Sequence, residues 1–446
     1  VHNNIGIIFL QLNKLDSAVK SFNRAIESMP NFYGAFYNLG IAFKKLNRLE
    51  DAVNSYKKVL SIKPEYPEAY NNLGTVLKEL GRIEPAIENY IKATLIKPNY
   101  AEAHNNLGVL YKDIGNIDKA IDNFEKATQI NPNFYEGYCN LGIAQIDKDQ
   151  ISLAIKNLKK SITINSSFSE AFNNLGVAYM RLGQDDEAIK YYNQALNIDS
   201  NNAEAHNNFG LVLMGLGQIN TASEHFIKAL ELKPEYIFAL NNFGLLLKQI
   251  GKYKDSLSYY ERALAKNPDF FEAHNNLGNS LKYLKRHDES LAAYLSAYSL
   301  NPNADYILGN VIHSKLHLSI WKDLTSNIKV ISKKIKNKEK AITPFPLMVL
   351  IDNPELQKIA AEIYVKEKYP QKNDLAKIKK YDANQKIKVG YFSADFRIHP
   401  VANLTAELYE IHDRTKFEVH AFSFGPETND EMNIRIRSGV DFFHDI

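Results

Sequence analysis

Glycine recurs at Gly6, Gly40, Gly74, Gly108, Gly142, Gly176, Gly210, Gly244 and Gly278, nine times at an unbroken interval of 34 residues. A small residue follows twelve positions after each, from Ala18, Ala52 and Ala86 to Ser256 and Ser290. Most units carry a bulky aromatic four positions later: Phe22, Tyr56, Tyr90, Phe124, Tyr192, Phe226, Tyr260 and Tyr294. Most then close on proline, as at Pro30, Pro64, Pro98 and Pro132. A second glycine, at Gly81, Gly115, Gly183, Gly217 and Gly251, stands where a first helix ends in a left-handed cap. The proline ends a second helix, which it cannot continue. A unit this short cannot bury its own apolar face, so the units must stack. The fifth unit departs most, with Asp149 for the turn glycine, Leu158 for the aromatic and Ser166 for the proline.

The pattern resembles the tetratricopeptide repeat, a helix-turn-helix unit of 34 residues. In that fold the first helix of each unit lines a concave surface. Two residues before each period glycine the chain has Asn4, Asn38, Asn72, Asn106, Asn140, Asn174, Asn208, Asn242 and Asn276, and the residue before is often a second Asn. Asn is a poor helix-interior residue because its side chain competes for backbone groups. Its amide both donates and accepts, so a row of them can hold the peptide groups of an extended chain in the groove. The alternative is that each Asn bonds the neighbouring helix and stabilises stacking. Lys44, Lys78, Lys112, Lys248 and Lys282 follow six residues on; they could bias the groove towards acidic partners, and a solvated face is the preferred reading. His104, His206 and His274 precede Asn pairs at a spacing that fits no zinc site, and packing is their expected role.

The net charge of +3 is too small to support nucleic-acid or polybasic membrane binding. The single cysteine, Cys139, allows no internal disulfide and suits a reducing, cytoplasmic setting. No apolar run approaches the roughly 18–20 residues of a membrane-spanning helix. The chain opens on Val1 inside a repeat, so further repeats are expected to precede it.

The rhythm breaks at Asn303. The expected organisation is mainly α: nine repeats forming a superhelix over 1–302, a helical linker over 303–385, and an incomplete α/β, Rossmann-like lobe over 386–446. TPFP (Thr343–Pro346) reads as a break, and Pro354–Lys368 as a helix. The basic run KKIKNKEK (Lys333–Lys340) reads as a solvated helix end. KIKVGYFS, KFEVHAFSF and VDFFHDI read as strands separated by helices from Pro400 and Glu431, the order of a parallel sheet. Three strands make half a lobe, so the sequence is expected to continue beyond Ile446.

The stretch IKVGYFSADFRIHPVANLTAELYEIHDRTKFEVHAFSFGP, behind tandem repeats, resembles the start of the catalytic region of the O-GlcNAc transferase/SPINDLY family. That resemblance implies the N-lobe of a GT-B glycosyltransferase that moves a sugar from a nucleotide-sugar donor to Ser or Thr of acceptor proteins. UDP-N-acetylglucosamine is the favoured donor and GDP-fucose the other; no metal is implied. It also places His399, of the His399-Pro400 pair, in the active site. The physical reading agrees, because ligands of open parallel sheets gather beyond the carboxyl ends of the strands. Pro400 suits a first helical position, so His399 stands at the positive end of a helix dipole, which favours a neutral imidazole. Such an imidazole can accept a hydroxyl proton or donate to a phosphate or sugar oxygen. Asp395 in the same loop is the weaker candidate. With the nucleotide-gripping lobe absent, this chain alone is expected not to catalyse transfer. A non-catalytic peptide-binding scaffold is the rival expectation; it leaves the match around His399 unexplained.

Overall fold

The computed structural model describes residues 1–369 and 386–446, which divide into a unit Val1–Glu367 and a unit Lys368–Ile446. The last part of the expected linker, 370–385, lies outside the described residues.

In the first unit each of the nine repeats folds as a helix pair, from His2–Gln11 with Leu15–Ser28 to Phe271–Tyr283 with His287–Leu300. The period glycine is the contact point of each pair. A Cβ built on any of the nine would lie 2.5–2.9 Å from the side chain sixteen residues on, which is Phe22, Tyr56, Tyr90, Phe124, Leu158, Tyr192, Phe226, Tyr260 or Tyr294. Those nine side chains are at most 1% exposed. The glycine is therefore a docking face for a ring, and it accepts the helix-propensity cost of about 1 kcal/mol in exchange for that approach. Where Ser replaces Ala beside it, the hydroxyl is satisfied: Ser290 donates to the Gly278 carbonyl at 2.8 Å.

The turn glycines adopt φ between +68° and +78°. The other repeats reach the left-handed region with Asn13, Asn47, Asp149 and Lys285. The divergent fifth repeat keeps its geometry, with Leu158 fully buried against Gly142. The first-helix histidines pack as expected and are also anchored: His104, His206 and His274 bond the carbonyls of Pro98, Ser200 and Pro268 through Nε2. In the fourth repeat the other nitrogen of His104 meets Asn123, whereas in the seventh that of His206 meets Nδ1 of His225 at 2.9 Å.

After the ninth repeat, helix Ile307–His317 packs with Ile307 and Val311 against Tyr294 and Ala297. Helix Leu324–Lys336 follows, and Leu308, Ile312, Ile331, Ile335 and Ile342 form a small core of their own. The expected break at TPFP instead starts a short helix, Pro344–Leu350, because Pro344 stands at a first helical position with Thr343 extended before it. Among the described residues no helix is long and apolar enough to cross a membrane.

The second unit is a parallel sheet of β1 (Ile387–Ser393), β2 (Phe417–Ser423) and β3 (Phe442–Asp445), in that order. Helices Pro400–Glu410 and Glu431–Gly439 make the crossovers, and Ala402, Ala406, Tyr409 and Ile436 cover Tyr391, Ala421 and Phe443 on one face. On the other face Phe392, Phe422 and His444 stack at 4.5 Å centroid spacings, with His420 and Phe442 beside them at 4.8 Å.

Two outcomes follow from this packing. Gly176→Ala drives a methyl to 2.5 Å from Tyr192 and lowers the urea midpoint by the equivalent of about 1–3 kcal/mol. Gly215→Ala, in open space at a helix end, raises it by about 0.5–1 kcal/mol. The second concerns pH. Burial, with His206 adding to it, pushes His225 from 6.5 down to about 4. The unfolded chain then binds the extra proton first, so stability falls as pH drops from 6.5 towards 4. His225→Asn, the residue of the fourth repeat, should make that fall in the urea midpoint shallower; an unaltered slope would show that the pair contributes nothing.

Candidate functional site

At the carboxyl ends of the strands, β1 runs out through Ser393 into the loop Ala394–His399. The Ser393 hydroxyl accepts the Asp395 N–H at 3.0 Å, and the Phe424 N–H donates to the Ser393 carbonyl. Gly425 lies so close that any Cβ would collide with the Ala394 carbonyl oxygen. The loop is also tied to the second crossover. Asn433 donates to the Phe396 carbonyl at 2.6 Å, and the Asp430 carboxylate accepts from the backbone of Ile398, Met432 and Asn433. Burial raises the Asp430 carboxyl, but these N–H groups outweigh it and hold the group below its ordinary range. Asp430 thus occupies the N-terminus of its own helix with a carboxylate. The N-terminus of Pro400–Glu410 is capped only by a neutral-capable ring.

That ring is His399. It is the N-cap residue, in extended conformation, and its Nδ1 accepts the Val401 N–H at 3.3 Å. The Asp395 carboxylate stands 3.6 Å from the same nitrogen. The two partners demand opposite things of Nδ1, one a lone pair and the other a hydrogen. With Val401 bonded, the hydrogen of a neutral ring lies on Nε2, which then donates outward. With Asp395 engaged, Nδ1 carries the hydrogen and Nε2 is free to accept one. The side chain is 36% exposed, so Nε2 is reachable. Of the two chemistries open to such a residue, the helix-capped geometry provides the donor and the Asp395 contact provides the base.

The nine asparagines occupy equivalent places on the first helices. Asn38, Asn106, Asn140, Asn208, Asn242 and Asn276 each donate Nδ2–H to the Oδ1 of Asn3, Asn71, Asn105, Asn173, Asn207 and Asn241 at 3.0–3.1 Å. Asn72 donates instead to the Tyr37 hydroxyl. Where the preceding repeat offers Cys139 in place of an acceptor, Asn174 turns back to its own Glu170 carbonyl. Asn4, in the first repeat, is exposed. One donor of most of these amides therefore joins neighbouring repeats, with the acceptor Asn largely buried and the donor Asn half-buried. Their outward edge still lines a concavity: Asn174, Asn208 and Asn242 border a cavity of about 380 Å³ together with Asp147, Arg181 and Phe238. Two of the lysines beside the row are not simply solvated, since Lys44 pairs with Glu79 at 3.0 Å and Lys78 with Asp113 at 2.7 Å.

One member of the row was missed in the sequence. Asn310 stands 34 residues beyond Asn276 and donates to Asn275 at 3.4 Å, after the glycine rhythm has ended. The register of the asparagine itself was the available signal.

Tetratricopeptide repeat models match residues 1–32, 42–81, 74–115, 101–134, 135–168, 178–217, 201–267 and 241–305. The family model described as Glycosyl transferase family 41 matches residues 355–446. The probable UDP-N-acetylglucosamine–peptide N-acetylglucosaminyltransferase SEC of Arabidopsis thaliana is 29% identical over 69 residues, which is 16% of this chain and 7% of that protein. Among solved structures, Cut9–Hcn1 of the APC/C hetero-tetramer is similar in fold alone, with a TM-score of 0.50 at 16% identity over 67% of this chain and 59% of that one. MamA is 31% identical over 36% of this chain and 95% of its own, with a TM-score of 0.33. The chain is a tetratricopeptide-repeat superhelix whose final segment, residues 355–446, is similar to glycosyl transferase family 41.

Proposed function

We propose that this chain is the acceptor-binding array and part of the catalytic region of a protein O-glycosyltransferase. The observation that carries this reading is the family 41 match falling on the sheet edge where His399 and Asp395 converge. The donor is a nucleotide sugar, UDP-N-acetylglucosamine in preference to GDP-fucose. The acceptor is a Ser or Thr hydroxyl on a protein segment lying along the asparagine row.

In such a transfer the hydroxyl oxygen bonds the anomeric carbon, the bond from that carbon to the phosphate oxygen breaks, and the nucleoside diphosphate leaves with the electron pair. The hydroxyl proton must be taken up and the leaving phosphate stabilised. His399 is suited to the second task when Nδ1 caps the helix, because Nε2–H then faces outward beside a helix N-terminus, a favourable place for an anion. Engagement of Asp395 suits it to the first. Replacing His399 with Ala in the whole protein should lower kcat by about 100-fold or more, with acceptor affinity unchanged. Near-normal turnover would remove His399 from the reaction.

The asparagine row is proposed to serve twice, joining repeats through one amide donor and presenting its remaining hydrogen and oxygen to the acceptor backbone. The triple variant Asn208→Ala, Asn242→Ala, Asn276→Ala strands buried carbonyl oxygens on Asn173, Asn207 and Asn241. It should lose about 1–3 kcal/mol per site and also weaken binding of an unstructured peptide, read at a temperature where the variant is fully folded. Lower melting with unchanged peptide affinity would leave the row a purely structural device. Asn4→Ala, at an exposed site, is the control expected to change neither stability nor folding.

A further inference from the structure

The seam between successive first helices has two tiers. Asn71 and Lys78 lie seven residues apart, two turns along one helical face. Opposite them on the next repeat, Asn106 and Asp113 have the same spacing; Asn106 bonds Asn71, and Lys78 bonds Asp113 at 2.7 Å. One repeat earlier, Tyr37 and Lys44 meet Asn72 and Glu79 in the same way. In this register Lys44 and Lys78 are each neutralised by a carboxylate that the following repeat supplies, and Asp147 stands at the same offset from Lys112.

The amide tier runs on to Asn275 and Asn310, but the ionic tier does not. By the same offset, the residues opposite Lys248 and Lys282 are Tyr283 and His317. Both lysines are half-buried, and burial alone holds their ammonium groups below the usual lysine range, with no carboxylate among the described residues to offset it. The charge of Lys282 is felt by His313 and His317, and it helps keep both rings neutral. Nδ1 of His313 is buried with no hydrogen-bond partner among the described residues. His287 stacks on His317 at 4.9 Å and completes the cluster. A partly desolvated cation without a counter-ion is a standing cost that an anionic ligand removes. Further back the groove carries carboxylates as well. Asp147 and Glu204 line the cavity beside Arg181, and burial together with Glu204 pushes the Glu170 carboxyl upward.

We propose that the end of the groove formed by the eighth repeat, the ninth repeat and helix Ile307–His317 is a subsite for acidic side chains, Asp or Glu, of the acceptor protein, with Lys248 and Lys282 as its cations. This rests on the reading of the repeats as the acceptor-binding array and adds to it a preference in sequence. In the middle of the groove Asp147, Glu170 and Glu204 stand among Arg181 and Lys112, a mixed surface that favours such a segment less than the lysine end does.

The test uses the full chain and two fluorescent peptides of about 15 residues, roughly 50 Å when extended. One is built of Ser and Gly, and the other carries four Glu at one end. Fluorescence anisotropy at low salt should give about tenfold tighter binding of the glutamate peptide. Tyr283→Glu with His317→Glu restores the carboxylates that Glu79 and Asp113 provide elsewhere. It should erase that preference while leaving the Ser/Gly peptide unaffected. Lys248→Met with Lys282→Met keeps the aliphatic stems and should erase it as well. Equal affinity of the two peptides for the unaltered chain overturns the subsite and leaves the groove intact, and so does a preference that survives both variants. Failure of both peptides to bind overturns the acceptor-binding reading beneath it.

Discussion

Everything in the array depends on a bulky side chain, in eight of the nine repeats an aromatic ring, packed directly on a glycine. The glycine removes the side chain that would hold the two helices apart, and the ring sixteen residues later fills the space so made. Because the contact is made within each repeat, the shape of a repeat is set locally, and neighbours need only match surfaces. That is why the fifth repeat survives the loss of its aromatic: Leu158 fills the same place and is as deeply buried as Tyr192 one repeat later. The stacked first helices then bring neighbouring register positions face to face, 35 residues apart, and an Asn pair repeated in successive units becomes a row.

Periodicity made most of this legible. A glycine every 34 residues, a ring at a fixed offset and a proline at the end left few other ways to bury the apolar faces, and the helix pairs lie where those residues place them. The C-terminal strands were equally open to reading, because β-forming runs alternate with helices that begin at Pro400 and after Asp430. What the sequence hid was pairwise. The presence of an Asn at each step says nothing of whether its amide faces a ligand or the preceding helix, since both uses need the same side chain. The Lys44–Glu79 and Lys78–Asp113 pairs were likewise invisible until the offset of 35 residues between facing positions was known. TPFP misled because two prolines suggest a break, although one of them opens a helix. His399 is singled out by its motif, but the competition between Val401 and Asp395 for one ring nitrogen is a matter of three-dimensional distance.

On the proposed function, a structural and a binding role coexist in each side chain of the asparagine row. A primary amide has two hydrogens and a carbonyl oxygen, and joining repeats uses only one of them at most positions. Fixing the amide in this way also orients what remains. A groove lined by pre-oriented groups loses less side-chain entropy when it closes on a partner than one lined by freely rotating chains. On that proposal the contact that stiffens the array is also the one that prepares its inner surface.

The amide bonds of this row also have a sense. With Asn174 as the exception, each donates from a later repeat back to an earlier one, from Asn38 to Asn3 through to Asn310 and Asn275. The leftover donors and acceptors are therefore presented in the same orientation at each step. A polypeptide is itself directional, with its N–H and C=O groups in fixed order along the chain. Such a surface can tell a segment running one way from the same segment reversed, and the groove has a head and a tail before anything enters it.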